Sequence, residues 1–334
     1  MNVTIRDVAA RAGVSVRTVS RVLNNQGEIA ADTRERVVTA IDELKYRPSA
    51  LARSLVSGKT HSIGLIIPKI TDPFYPEVVL GVESVAREQN YNVFLCNANE
   101  DPQQELEYAD VMESKQVDGI ILCGSRLNTE QLDHLAAQHR VSMLTSRRPH
   151  TAAVIGIQGE AGLFEITSHL IRQGHQAIGH IGWSVYAENE RADGYSRALR
   201  ENSIIVQDRW NVSVAVVSIE TGQQATRRLL EQSPEITAIT CFNDLLAFGA
   251  LQACVELGRR VPQDIAVVGF DDIPYAALAN PPLTTMRIPR YALGKMVMEM
   301  LLRVIAADGK HQELQLVKPE LVVRRSSGPL ERSQ

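Results

Sequence analysis

The stretch GVSVRTVSRVLNN, Gly13 to Asn25, has two faces: Val19, Val22 and Leu23 share one side of a helix, and Arg17, Arg21 and Asn24 the other. Its neighbours say what kind of helix it is. Upstream, Thr4 and Asp7 form a capping-box pattern ahead of an inward stripe of Val8, Ala9 and Ala12, which predicts a first helix over about Ile5 to Ala12, ended by Gly13. Ser15 is the N-cap of the second helix, which runs to about Asn24 before Asn25, Gln26 and Gly27 break the pattern. A third helix starts near Asp32, with Glu35 three residues on, presents Val37, Ala40, Ile41 and Leu44, and stops at Pro48.

A helix-turn-helix needs a small residue where the helices cross, a turn-tolerant residue and apolar packing positions. Ala9, Gly13, Val8, Val14, Val19 and Val22 supply them. An ordinary helical hairpin satisfies the same pattern, so the charge decides. Residues 1–60 hold ten basic side chains against six acidic ones, a balance of +4, whereas the whole 334-residue chain carries −4 and the remainder therefore −8. A basic end on an acidic body points to a polyanion contact confined to that end, and excludes a chain that coats nucleic acid or anionic lipid along its length. The open face of Ser, Thr, Arg and Asn then reads as DNA-binding. Arg17 and Arg21 suit guanine edges, Val16 a thymine methyl, and Asn24 a base or phosphate. Ser15, Thr18 and Ser20 suit phosphates that fix register, and Thr4 joins this DNA-binding set.

From Ser62 onward, apolar runs of strand length (IGLIIP, VFLCNA, GIILCG, AVIGI, AIGHIG, ITAITCF, IAVVGFD) alternate with segments of helical period. Strands buried on both faces read as continuous apolar runs, and the alternation implies parallel βαβ units. The expected fold class is a small all-α headpiece followed by an α/β body of two doubly wound parallel-sheet halves. A helix near Tyr291 to Ala307 and a last strand in LVKPELVVRR are assignable to either half. Ligands of such sheets bind beyond the carboxyl ends of the strands. The residues there include Thr71 to Tyr75, Ser125 and Arg126, Ser146 to Arg148, Trp183 through Arg191, Asn243 and Asp244, and Asp271 and Asp272, a set rich in the aromatic and charged groups that bind a polyhydroxylated ring.

The four cysteines are far apart in mostly apolar runs and read as reduced core residues. His169, His175 and His180 lack ligand spacing on one helix face and read as surface or capping histidines, so no metal is expected. G-x-S-x-G, a P-loop and GxGxxG after the first strand are all missing, which argues against an enzyme. The N-terminus has no secretory pattern and no run is long enough to cross a bilayer, so a cytoplasmic protein without membrane contact is expected.

TIRDVAARAGVSVRTVSRVLN, followed by TRERVVTAIDELKYRPSALARSL, closely resembles the DNA-binding headpiece of the LacI/GalR (lactose-repressor) family of bacterial transcription regulators. SIGLIIPKITDPFYPEVVLGVE, VDGIILCG, GHQAIGHIG, ERADGY, FNDLLAFGAL, VPQDIAVVGFDD, PPLTTMRIP and PELVVRRSS carry the resemblance over nearly the whole chain. It implies a headpiece at 1–47, a hinge helix and linker at 48–60, and an effector-binding and dimerisation domain at 61–334. That domain is of periplasmic-binding-protein type I, with subdomains at roughly 61–157 and 158–288 and C-terminal segments crossing between them. It implies a repressor acting as a homodimer on near-palindromic operator double-stranded DNA, with no cofactor and a small-molecule effector, most simply a carbohydrate. A nucleobase or nucleoside, or a protein partner, are the alternatives, with a sugar-binding or sugar-processing protein behind them. In the hinge it places Leu55 in the minor groove with Ala52 nearby, against the plainer reading of a connector helix with Leu51 and Leu55 on the body. Among effector contacts it places Phe74, Tyr75, Arg191, Asn243 and Asp271. The plainer alternatives are that Asp271 caps the next segment and that Arg191 pairs with Glu188 or Glu190. The chain departs from common family members at Ser146, where many have Asp, and at Gln158 and Gly159, where many have Asp-Asn. The tail SSGPLERSQ is too short for tetramer heptads, which favours a dimer. If Arg17 reads a base, Arg17→Ala relaxes preference at one position of each half-site at a cost of about 1–3 kcal/mol, whereas equal weakening on all sequences in a gel-shift series assigns it to phosphate.

Overall fold

Thr4 donates its backbone N–H to Asp7 Oδ2 (2.8 Å), and its hydroxyl donates to the same oxygen (2.7 Å), so the expected capping box opens α1, Ile5–Ala12. A computed structural model describes residues 3–23, 27–47, 58–145, 152–184 and 190–328. They fall into two compact units, residues 1–61 with 116–118, and residues 62–115 with 119–334.

In the first unit, Gly13 turns the chain with φ 65°, a left-handed conformation that its missing Cβ makes cheap. Ser15 then accepts the Thr18 N–H on its hydroxyl (3.1 Å) at the start of α2, Val16–Leu23. The third helix, α3, spans Ala31–Glu43. Val8, Ala9, Ala12, Val19, Val22, Val37 and Ala40 are buried together, with Ile41 and Leu44 against them, so the apolar stripes read from the sequence do meet in one core. Arg36 lies over the end of α1, 3.4 Å from the Ala12 carbonyl, and satisfies a helix C-terminus left open by the turn.

The second unit starts with β1, Ser62–Ile67, and alternates α4, Tyr75–Glu88; β2, Asn92–Asn97; α5, Pro102–Ser114; β3, Gly119–Cys123; α6, Thr129–Gln138; β4, Val141–Leu144; and β5, Ala153–Ile157. It continues through α7, Gly159–Arg172; β6, Ile178–Trp183; α8, Glu190–Glu201; a 3-10 turn; β7, Asn211–Val214; α9, Ile219–Gln232; β8, Ala238–Cys241; α10, Asp244–Glu256; and β9, Ala266–Val268. Then come β10, Thr285–Arg287; α11, Arg290–Ala306; β11, Leu314–Val317; and β12, Glu320–Val322. Two parallel sheets result, ordered β11-β5-β4-β3-β1-β2 and β7-β6-β8-β9.

Strands β1, β3 and β6 are buried almost throughout, as continuous apolar runs require. Strand β2 is a correction to that reading: among the described residues it is an edge strand, paired with β1, and Phe94 and Leu95 are 48% and 43% exposed. The single last strand expected in LVKPELVVRR is also two. β11 joins the edge of the first sheet beside β5, and β12 pairs antiparallel with β10. Pro319 stands between them, without the N–H that a continuing ladder needs. Helix α11 packs on α4 and on β3, β4 and β5, so it belongs with the first sheet. The chain therefore passes between the sheets after β5, between β10 and α11, and between β11 and β12.

Helices α4 and α11 cross at glycines that let their backbones touch. A Cβ at Gly81 would collide with the Tyr291 carbonyl oxygen, and one at Gly294 with that of Val78. Gly222 and Gly249 do the same for α9 and α10. Gly81→Ala is expected to lower unfolding free energy by about 1–3 kcal/mol or more through overpacking, read as a reduced urea midpoint at unchanged slope.

Candidate nucleic-acid interface and ligand cleft

On α2 the burial of Val19 and Val22 leaves Val16, Arg17 and Arg21 on the solvent side, with Thr18 and Ser20 half-buried. Arg17, Ser20 and Arg21 lie three and four residues apart and so on one face. Ser15 and Thr4 are exposed, but each already serves a helix start: Ser15 Oγ lies 2.9 Å from Thr18 Oγ1, and Thr4 is bonded to Asp7. Their hydroxyls can meet a phosphate only alongside those bonds. The Arg21 guanidinium folds close to Gly27, where a Cβ would obstruct it. Asn24, Ala52 and Leu55 lie outside the described residues.

The cleft between the two sheets, about 1010 Å³ with its open mouth included, is bounded by the carboxyl ends of strands from both. Phe74, Tyr75, Arg191, Asn243 and Asp271 all line it. Phe74 and Tyr75 enter from the turn after β1. There Asp72 Oδ1 accepts the Phe74 N–H (2.9 Å), and the two rings meet edge to face at 5.2 Å. Asn243 caps α10, its Oδ1 accepting the Leu246 N–H (3.1 Å). Arg191 stands over the rings of Phe270 (3.9 Å) and Phe242 (4.3 Å), donates to the Phe242 carbonyl, and faces Asp271 Oδ1 at 3.5 Å. The described partner of Arg191 is therefore Asp271, while Glu188 lies outside the described residues, as does the side chain of Glu190. Gly159 makes room for this: a Cβ there would press on Arg191 Cγ at 3.1 Å, which gives the departure at Gln158 and Gly159 a physical consequence. Ser146 lies outside the described residues.

Asp271 holds φ 111°, rare for a residue with a side chain. Its N–H donates to Met286 O (2.8 Å) and its carbonyl accepts from Arg290 Nη1 (2.7 Å), which fixes the strained backbone. Arg290 also donates to Glu77 Oε1 on α4 (3.0 Å), tying this loop to the first half. Burial pushes the Asp271 carboxyl up to about 7, against the opposing pull of Arg191, and Asp72 across the cleft adds to the rise. Burial raises Asp72 as well, and raises Asp244 far more; Asp244 is enclosed behind Asp271 with bonds from Thr285 Oγ1 (2.6 Å) and the Ile273 N–H (2.8 Å).

Some lining residues were named only as strand-end positions. Arg126 lies over the Trp183 ring at 4.2 Å, donates to the Gly124 carbonyl (3.0 Å) and pairs with Glu100 (3.1 Å). It comes from the first half and Trp183 from the second, so the contact spans the cleft. Glu100, Thr145 and Phe242 were missed, although each follows a strand directly or within a few residues, a position that could have flagged them. The histidines need correction. His169, His175 and His180 are buried rather than on the surface, each facing a hydroxyl: Ser327 (2.9 Å), Thr237 (3.0 Å) and Thr240 (3.0 Å) respectively. Burial lowers all three, His180 to about 4. All four cysteines are buried and free. Among the described residues one possible ligand trio for a metal forms, the mostly exposed Asp110, Glu113 and His139.

A helix-turn-helix with an exposed basic face, joined to two parallel sheets around a ring-lined and charged cleft, defines a ligand-responsive DNA-binding regulator. Residues 4–49 match the model of the lacI family of bacterial regulatory proteins, and residues 60–323 that of periplasmic binding proteins and the sugar-binding domain of the LacI family; the chain belongs to the LacI family. It is 37% identical to the ribose operon repressor of Halalkalibacterium halodurans, over 99% of both chains. It is 35% identical to the transcriptional repressor PurR of Photobacterium profundum, over 97% of this chain and 98% of that one. Its fold matches a lac repressor dimer bound to operator and the anti-inducer ONPF, with a TM-score of 0.88, 28% identity, and coverage of 98% of this chain and all of the other. No described helix is long and apolar enough to cross a membrane.

A carboxyl that titrates near 7 when folded and near 4 when unfolded holds its proton better in the folded state between those values. Its contribution to stability is therefore present below about 4 and is lost as pH rises through about 7. The melting temperature of the wild type minus that of Asp271→Asn should thus fall from pH 5 to pH 8 at fixed ionic strength. A difference that stays flat with pH would show the carboxyl ionised throughout.

Proposed function

We propose that this chain is an operator-specific transcriptional repressor that works as a homodimer. Residues 1–47 read the DNA, 48–60 form the hinge, and 61–334 bind the effector and pair the subunits. In this reading Arg17 and Arg21 enter the major groove, while Thr18 and Ser20 hold register on phosphates. The effector is a sugar or sugar derivative, held by Phe74, Tyr75, Arg191, Asn243 and Asp271 together with Arg126 and Trp183. The observation that carries this is the cleft itself, where both halves present ring faces and charged groups to one space. Rings stack on the apolar face of a sugar, and carboxylate, guanidinium and amide groups bond its hydroxyls. Relatives with ribose in the name of the operon, a cellobiose complex and a ribose complex support the sugar. Regulation follows by linkage: a ligand that prefers one arrangement of the halves shifts operator affinity by the ratio of its affinities for the two states.

A nucleobase effector is the second reading, favoured by the same ring faces and by the PurR relatives at comparable identity. Thermal denaturation across pentoses, hexoses, disaccharides, nucleobases, nucleosides and phosphosugars separates the two. The expected result is stabilisation by an uncharged sugar, about 2.7 kcal/mol at a hundredfold excess over Kd, and its loss in Arg191→Ala, which keeps its operator footprint. Stabilisation by nucleobases alone would replace the sugar, and no response across the panel would remove small-molecule control.

A further inference from the structure

Asp118 belongs to the VDGIILCG stretch but does not line the cleft. It is the residue before β3 and is 6% exposed. Three donors from two consecutive residues meet it. Oδ1 accepts the Thr60 N–H (2.8 Å), with the Thr60 hydroxyl at 3.0 Å, and Oδ2 accepts the His61 N–H (3.1 Å). The same hydroxyl lies 2.9 Å from the Gln116 carbonyl, so its single proton has two acceptors within reach. Thr60 and His61 are the last residues before β1, and β1 pairs with β3 from Ile63 opposite Gly119. The carboxylate thus extends the β1–β3 pairing past the ends of both strands, with a side chain doing what a backbone carbonyl would otherwise do.

The backbone on both sides of this junction is unfavourable by itself. His61 has φ 50° and Gln116 φ 56°, left-handed conformations that residues with a Cβ avoid. Such conformations persist where surrounding bonds over-determine them; a charge-assisted bond to a buried carboxylate does so at His61, and the Thr60 hydroxyl holds the Gln116 carbonyl. Residues 58–61 are also the covalent route between the operator-reading residues and β1.

We propose that Asp118 is a positioning residue for DNA binding: it holds Thr60 and His61 in one conformation, and operator affinity depends on that order. The inference rests on DNA binding by the headpiece and not on the identity of the effector. Loosening this anchor leaves the phosphate contacts in place but gives Thr60 and His61 conformational freedom that operator binding must then remove.

The test uses the full-length protein and a duplex selected in vitro by the wild type, whose footprint on that duplex establishes DNA binding independently. Asp118→Asn keeps the side-chain shape but turns an N–H toward the His61 N–H. Operator affinity should fall by about tenfold, the scale of one lost charged hydrogen bond, with an unchanged slope of log affinity against log salt and a lowered melting temperature that still lies well above the temperature of the binding assay. The Lys59–Thr60 peptide, whose N–H Asp118 accepts, should be cut faster by trypsin. Thr60→Val, which keeps both backbone bonds, should show the same changes in smaller degree and serves if Asp118→Asn does not fold. Wild-type operator affinity in the folded variants overturns the proposal even if trypsin cuts faster, and a shallower salt slope overturns it by showing lost phosphate contacts.

Discussion

A guanidinium enclosed by protein is stable only where other groups replace its water. Arg191 is placed among two aromatic faces, a backbone carbonyl and a carboxylate that do so. Those groups come from different places. Arg191 is on α8, Phe242 follows β8, and Phe270 and Asp271 follow β9. Only a parallel sheet brings these strand ends to one edge, and Gly159 at the start of α7 leaves the space in which the arginine lies. Asp271 meets this demand at a cost in backbone strain and in an unfavourable charged state, which Arg290 and the β10 backbone offset.

The same arrangement prepares the cleft to respond to a ligand. Arg126 and Trp183 meet across it, Arg290 reaches from the Asp271 loop to Glu77 on α4, and three strand-to-element passages join the halves. A ligand that inserts between these contacts must change them, so its binding energy differs between arrangements of the halves. That difference is the condition for control of DNA binding by a ligand. Asp118 stands at the other end of the first sheet, at the amino ends of β1 and β3, where the chain enters from the headpiece.

Much of this was legible in the residues. The capping box at Thr4 and Asp7, the turn at Gly13, and the stripe of Val8, Ala9, Val19 and Val22 are signals that act within a turn or two, and the structure contains each. Continuous apolar runs gave away the buried parallel strands, except in β2, because a run of apolar residues looks the same on an edge as in the centre of a sheet. The division of the last strand was also hidden, since pairing partners are not local. The histidines were misplaced for the same reason: their hydroxyl partners are Thr240 in β8, Thr237 just before it, and Ser327 in the C-terminal segment.

The headpiece, the alternation of strands and helices, the family, and the aromatic and charged residues that gather at strand ends were legible in the sequence. These follow from periodicity, capping and motif, which are properties of neighbouring residues. It took the folded chain to bring Arg191 to Asp271, Arg126 over Trp183, Glu100, Thr145 and Phe242 into the cleft, and Asp118 to Thr60 and His61. Each of those contacts joins residues tens of positions apart, and their meeting depends on strand order and crossover, which no local pattern of residues encodes.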